Sequence, residues 1–117
     1  MWQIITTDTF DHWLVALDDT DRTCVLASML VLRQIGPGLS RPYADTLKGS
    51  CYNNMKELRV QSKGDPIRVF YAFDPCRNGV VLCAGHKVGN EKRFYKQMIP
   101  LADLEFTHHL KRGTTKE

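Results

Sequence analysis

The spacing of apolar residues changes twice along this chain of 117 residues. Trp2–Thr6 is a short β-prone run that predicts a strand at the start. Phe10, Trp13, Leu14 and Leu17 then recur at i, i+3, i+4 and i+7, which is one face of a helix. Thr7 or Asp8 can cap it, and Asp8 and Asp11 suit the positive end of its dipole. The polar stretch Asp18–Asp21 interrupts the pattern and offers a second cap. From Arg22 to Ile35 the apolar residues Val25, Leu26, Met29, Leu30 and Leu32 cover most of a helix, which predicts packing by more than one element. Gly36-Pro37-Gly38 ends it, and the two helices make an αα-hairpin.

Leu39–Asn54 is loop-like, with Pro42, Gly49, Ser50, Asn53 and Asn54. The period then shortens to two. Met55–Val60, Ile67–Phe73 and Val80–His86 read as strands, joined by hairpin loops at 62–66 and 74–79. In the first of them Leu58 and Val60 alternate with Glu57, Arg59 and Gln61, as in a half-buried strand. Asn90 can cap a helix over Glu91–Met98. Pro100 divides the C-terminal region into two short helices or one kinked helix, and Leu101 and Leu104 continue the apolar stripe. The expected order is β-α-α-β-β-β-α, an α+β domain in which a helical hairpin packs on a curved antiparallel sheet. One domain spans residues 1–117, with 111–117 as a polar tail that frays.

A hydrophobic fraction of 43% and a charged fraction of 25% exclude a wholly disordered chain. No apolar run approaches the roughly 18 residues of a membrane span. The start, MWQIITTDTFD, lacks the basic and apolar regions of a signal peptide, so a cytoplasmic protein is expected. In that compartment Cys24, Cys51, Cys76 and Cys83 read as reduced, mostly buried thiols. The net charge of +3 hides an uneven distribution. Residues 1–22 hold five acids and one base, whereas 23–117 hold fifteen bases and eight acids. A basic face of this kind suits an acidic partner or a phosphate backbone.

No metal-ligand spacing, P-loop, GxGxxG or GxSxG is present, and no cofactor is expected. The distinctive feature is cationic. Arg68 lies inside the apolar strand IRVFYAF, where it needs an anionic partner or a wet groove. Arg59 lies in KELRV beside Glu57, while His86 and Lys87 end the third strand and Lys92, Arg93 and Tyr95 come after them. In simple register Arg59, Arg68 and the His86/Lys87 end converge on one face with Tyr95 on the rim. Such a set fits phosphodiester cleavage. Arg stabilises the phosphorane charge, and His, Tyr, Lys or Glu can move protons. Blander readings stay open: Arg59 with Glu57 as an ion pair, and Tyr95 as a core aromatic like Phe94 beside it.

KELRV, a short loop, IRVFYAFDP, VVLCAGHKVGNEKRFY and IPLAD, in this order and spacing, resemble the RelE/ParE superfamily of bacterial type II toxins. Gly36-Pro37, Pro42, Leu47-Lys48-Gly49 and the opening Trp2 with Phe10 and Trp13 are similar to its HigB-like, phage-derived branch. The resemblance covers about residues 2–110. It implies a RelE-like fold, with two N-terminal helices packed on a mainly antiparallel four-stranded sheet and a C-terminal helical segment. It also implies a ribosome-dependent mRNA endonuclease that uses 2′-hydroxyl attack without a metal. The implied partners are a cognate antitoxin, often of helix-turn-helix type, the 70S ribosome with mRNA, and operator DNA only through the antitoxin. By position, Arg68 matches the family's transition-state arginine, Lys87 with His86 its basic strand end, Tyr95 its helix-start aromatic and Arg59 a common strand base. Lys56, Lys92 and Arg93 join Arg59 as candidate RNA- or ribosome-binding residues. Where some members carry paired lysines, this chain has Met55, Lys56 and Glu57. The same fold implies two alternatives: a ParE-like DNA gyrase inhibitor, and an inactive homologue that acts only in antitoxin binding and autoregulation.

Overall fold

A computed structural model of the chain describes residues 1–114, with side chains through Arg112. Strand β1 (Ile4–Thr6) leads into α1 (Asp8–Val15) and α2 (Asp19–Ile35), followed by a single 3-10 turn at Gly36–Gly38. Then come β2 (Ala44–Thr46), β3 (Lys56–Ser62), β4 (Asp65–Phe73), β5 (Gly79–His86) and α3 (Glu91–Thr114). The sheet order is β1-β5-β4-β3-β2, antiparallel except where β1 runs parallel to β5. The architecture is α+β, as expected, with a fifth strand. Leu39–Asn54 is not all loop, because Ala44–Thr46 pairs with Leu58, Glu57 and Lys56 as an edge strand. Three residues are too few to show a period.

The helix starts follow from their caps. The Thr7 hydroxyl accepts from the Phe10 N–H, and an Asp18 carboxylate oxygen accepts from Asp21 N–H. Thr7 also donates to the Leu82 carbonyl at 2.6 Å, which ties the start of α1 to β5. α2 buries Val25 and Leu32, but Leu26, Leu30 and Ile35 remain exposed. Its wide apolar surface therefore does not mark a second packing layer. At Gly36 the backbone takes φ +77°, and a Cβ there would stand 2.3 Å from the Trp2 indole nitrogen. Only glycine meets both demands.

The β3–β4 connection is tighter than the loop expected at 62–66. Lys63 and Gly64, with φ of 54° and 83°, form a two-residue turn, and Ser62 pairs with Asp65. Positive φ at both positions matches the right-handed twist of a hairpin. Between β4 and β5, pairing moves from Tyr71↔Val81 to Phe70↔Cys83, so Leu82 is one extra residue, a β-bulge.

The sheet divides two cores. On one face Phe10, Val25 and Leu32 of the hairpin pack with Leu58, Val60, Val69 and Tyr71. On the other, Ala102 and Phe106 of α3 pack with Met55, Phe70, Ala72 and Leu82. α3 continues through Pro100 as one helix. Proline removes one backbone bond, but α3 keeps burying Ala102 and Phe106 beyond it. Residues 111–114 extend this helix instead of forming the expected tail, and 115–117 lie outside the described residues. The cysteines are unpaired and less buried than expected. Cys83 is buried and Cys24 half-buried, while Cys51 and Cys76 are exposed. Among the described residues no helix is long and apolar enough to cross a membrane.

Candidate active site

On the outward-reading side of β3 Glu57 is buried, Arg59 half-buried and Gln61 exposed, and α3 reaches this side through the Tyr95 hydroxyl at Glu57. Strand alternation puts Glu57 and Arg59 on this side. Register places Arg59 opposite Arg68, and Arg68 opposite Gly85. The Lys87 N–H donates to the Pro66 carbonyl, so pairing continues one step and brings Lys87 to the same side. α3 adds Tyr95. The missing Cβ of Gly85 lets the helix approach, since one built there would stand 3.1 Å from the Phe94 ring.

Arg68 is only 5% exposed. Its Nη1 donates to the Ile67 carbonyl at 3.1 Å, while its Nε is buried with no hydrogen-bond partner among the described residues. Glu57, 7% exposed, holds Oε1 3.9 Å from that Nε. The Tyr95 hydroxyl donates to the same Oε1 at 2.7 Å. Burial first, and then the Glu57 carboxylate, push the Tyr95 phenol up to about 12. The Lys87 ammonium lies 5.7 Å above the Tyr95 ring and donates to Glu91 at 2.7 Å. That bond holds the Glu91 carboxyl below its usual value. Two arginines directly opposite on adjacent strands repel one another. They are tolerated beside Glu57 and would be relieved further by an anion.

A groove of about 420 Å³ opens beside this cluster and reaches it at Glu57 and Tyr95. Glu91, Lys92, Thr46 and Lys48 complete its polar lining, Leu47 and Ile99 are its apolar part, and Arg59, Arg68 and Lys87 lie outside the lining. Arg93 lines an adjoining groove with Lys92 and Lys96. The arrangement combines permanent cations, a phenol that keeps its proton and a carboxylate. It can hold a phosphate and move a proton.

The expected convergence holds for Arg59, Arg68, Lys87 and Tyr95 but not for His86. His86 pairs with Ile67 and faces the helical hairpin, where Nε2 is 3.1 Å from Asp21 Oδ2 and the ring is 6.1 Å from that of Trp13. The Ser62 hydroxyl donates to the other Asp21 oxygen at 2.6 Å. This cluster fastens α2 to the sheet from behind. Lys56 is also on the hairpin side. Its ammonium donates to the Pro37 and Leu39 carbonyls at 3.0 and 3.1 Å, clasping the turn after α2. The structure adds Glu57 and Glu91 to the expected site. For Glu57 the available signal is its parity with Arg59 on one strand.

Residues 12–107 match the family model described as phage derived protein Gp49-like (DUF891). The chain is 42% identical over 99 residues to a Mycobacterium tuberculosis protein named "Putative toxin HigB2", covering 84% of this chain and 49% of that one. It is 41% identical over 93 residues to "Putative toxin HigB3" of the same organism, covering 80% of each. It thus spans about half the length of the first relative and most of the second. A match across most of the chain, two relatives above 40% identity and an α+β fold with α3 across the sheet agree: the chain belongs to the Gp49-like (DUF891) phage-derived family, within the HigB-like branch of the RelE/ParE superfamily.

Proposed function

We propose that the protein is the toxin of a type II toxin–antitoxin pair and arrests translation in the cytoplasm by cutting mRNA on the ribosome. The observation that supports this best is the buried Arg68 guanidinium, whose Nε has no hydrogen-bond partner among the described residues, on the face that Lys87 and Tyr95 share. An unsatisfied buried donor is costly, and a phosphate oxygen would satisfy it. As the 2′-oxygen attacks, negative charge develops on the phosphorane, and Arg68 stabilises it with a charge that requires no reorganisation. Lys87 supplies a proton to the leaving 5′-oxygen. Tyr95 keeps its proton at neutral pH and serves as a donor to the reacting group. No step requires a metal. Lys92 in the groove, Arg93 in the adjoining one and Arg59 on β3 serve as contacts for the RNA or ribosome, while His86 and Lys56 stay outside the chemistry. A cognate antitoxin of helix-turn-helix type neutralises the protein, and operator DNA is reached through that partner.

Expression in a bacterium with mapping of mRNA 5′ ends tests the reading. Wild type should stop growth and leave cut mRNA. Arg68→Ala should lower cleavage by about 10²–10³-fold, the usual loss for one transition-state donor, and Arg68→Lys should restore part of it. Circular dichroism checks that both variants fold. DNA damage signalling with intact mRNA would instead support a gyrase inhibitor. Normal growth would support an inactive homologue, and full toxicity of a folded Arg68→Ala would refute the site.

A further inference from the structure

We propose that the first half of α3 with its cap, residues 90–99, is a lid hinged at Gly89 and Pro100 and shut over Arg68. RNA reaches the guanidinium only when this lid opens, and that part rests on the nuclease reading above. In the structure the site is closed. Arg68 is 5% exposed, and the 420 Å³ groove touches Glu57 and Tyr95 but neither Arg68 nor Lys87. α3 is what shuts the guanidinium away. Its Phe94 ring rests on Gly85, the β5 residue opposite Arg68, and its Tyr95 hydroxyl reaches Glu57. Buried donors that serve only the fold are satisfied within it, whereas the Arg68 Nε has no hydrogen-bond partner among the described residues.

The two halves of α3 are fastened unequally. Beyond Pro100, Ala102 and Phe106 are buried. Side-chain bonds there tie Asp103 and Thr107 to the 50–52 loop, Glu105 to Thr9 of α1 and His109 to Asp74. Before Pro100 no residue of the helix is buried, and Phe94, Tyr95, Met98 and Ile99 meet the core only half-covered. Among the described residues two side-chain bonds hold this half to the rest, Tyr95 to Glu57 and Lys87 to Glu91, each 2.7 Å. Further grooves of about 560 and 400 Å³ border it, the second running to Pro100 itself. Few buried contacts and open flanks mark a segment that opens locally.

Both ends of the segment can absorb a rotation. Pro100 lies inside the helix without an N–H to give the Lys96 carbonyl, and its ring crowds that carbonyl. Gly89 has φ +74° and nothing within 4 Å of its Cβ position, so it turns freely. Hinges are a few loop or element-terminal positions of this kind. In the open form a phosphate oxygen meets Arg68; in the closed form it does not. That difference in affinity is what shifts the population.

Hydrogen exchange of the free full chain, read by mass spectrometry, tests the hinge. Amides 94–99 should be protected about tenfold less, or weaker still, than amides 102–110. Pro100→Ala supplies the missing N–H at an exposed helix position. It should slow exchange at 94–99 about tenfold and leave 102–110 unchanged, while Tyr95→Phe, which removes one latch, should speed exchange at 94–99. In single-turnover cleavage on programmed ribosomes, Pro100→Ala should need about tenfold more ribosome–mRNA complex for its half-maximal rate, because only the open fraction binds. Equal protection on both sides of Pro100, or slowing of both halves alike in Pro100→Ala, would overturn the lid whatever the nuclease result. Slowed exchange with unchanged cleavage would overturn the need to open. A wild type that leaves ribosome-bound mRNA uncut would overturn the nuclease reading and the RNA's part in opening, while exchange still decides the hinge.

Discussion

The bond from the Tyr95 hydroxyl to Glu57 is the contact that closes α3 over the site, and its strength can be worked out before it is measured. The distance is 2.7 Å, the acceptor is a buried carboxylate and the donor is half-buried. A hydrogen bond to a charged group contributes about 1.5–3 kcal/mol net. Tyr95 can recover a water when the bond is lost, which argues for the lower part of that range. Tyr95→Phe also leaves the Glu57 carboxylate without that bond and with the Arg68 Nε 3.9 Å away. We expect a loss of about 2 kcal/mol. Unfolding entropy near 2.1 cal/mol/K per residue over 117 residues gives about 0.25 kcal/mol/K. The melting temperature should therefore fall by about 8 °C. Glu57→Ala will cost more, because it strands a buried guanidinium. That cost occurs with or without the Tyr95 hydroxyl, so it cancels in a double-mutant cycle. Urea denaturation of wild type, both single variants and the double variant should return a coupling energy of about 1.5 kcal/mol. A coupling below about 0.5 kcal/mol, the scatter seen for independent sites, would mean that Tyr95 does not hold Glu57 in solution.

Two further outcomes rest on the placement of charges. Lys56→Ala should lower thermal stability and leave ribosome binding unchanged, because its ammonium is bound to the Pro37 and Leu39 carbonyls; Lys92→Ala with Arg93→Ala should do the reverse and flatten the salt dependence of binding, and equal effects from the two sets would refute the division. Asp74 gives a pH dependence: burial would raise its carboxyl, but bonds from His109 and from the Asn78 backbone and side chain outweigh burial and hold it below the ordinary value of 3.8. A depressed value means that stabilisation is complete above the unfolded value and lost as pH falls through the folded one. Wild type should lose stability below about pH 4 more steeply than Asp74→Asn, and parallel stability curves from pH 7 to 3 would contradict this.

Much of the scaffold was legible because it arises from local chemistry. The caps at Thr7 and Asp18 and the stop at Gly36 set the helical hairpin, and alternation of Leu58 and Val60 with Glu57 and Arg59 oriented β3. Residues whose environment depends on another element were less legible. Arg59 reads as a site candidate, but Glu57 shows only as the outward side of a half-buried strand, and its burial depends on Tyr95 of α3, more than thirty residues further on. The apolar side of α2 suggested a buried helix, yet Leu30 is 60% exposed, because hydrophobicity does not specify what covers it.

The division between His86 and Lys87 shows most directly what a single sequence withholds. The two are neighbours at the end of β5, so only one of them can face Arg68. Counting from the β4–β5 loop, Phe73 pairs with Gly79, Ala72 with Val80 and Tyr71 with Val81. An unbroken ladder would continue to Pro66↔His86 and put the imidazole beside Arg68. The bulge at Leu82 advances the count by one, so Ile67 meets His86 and the Pro66 carbonyl meets the Lys87 N–H. One extra residue therefore exchanges an imidazole for an ammonium on the Arg68 side, and sends the imidazole to Asp21 behind the sheet. On a strand with one wet face the polar positions would have revealed the shift. β5 is covered on both faces, and Val80, Val81, Leu82, Cys83 and Ala84 form an unbroken apolar run in which parity leaves no mark.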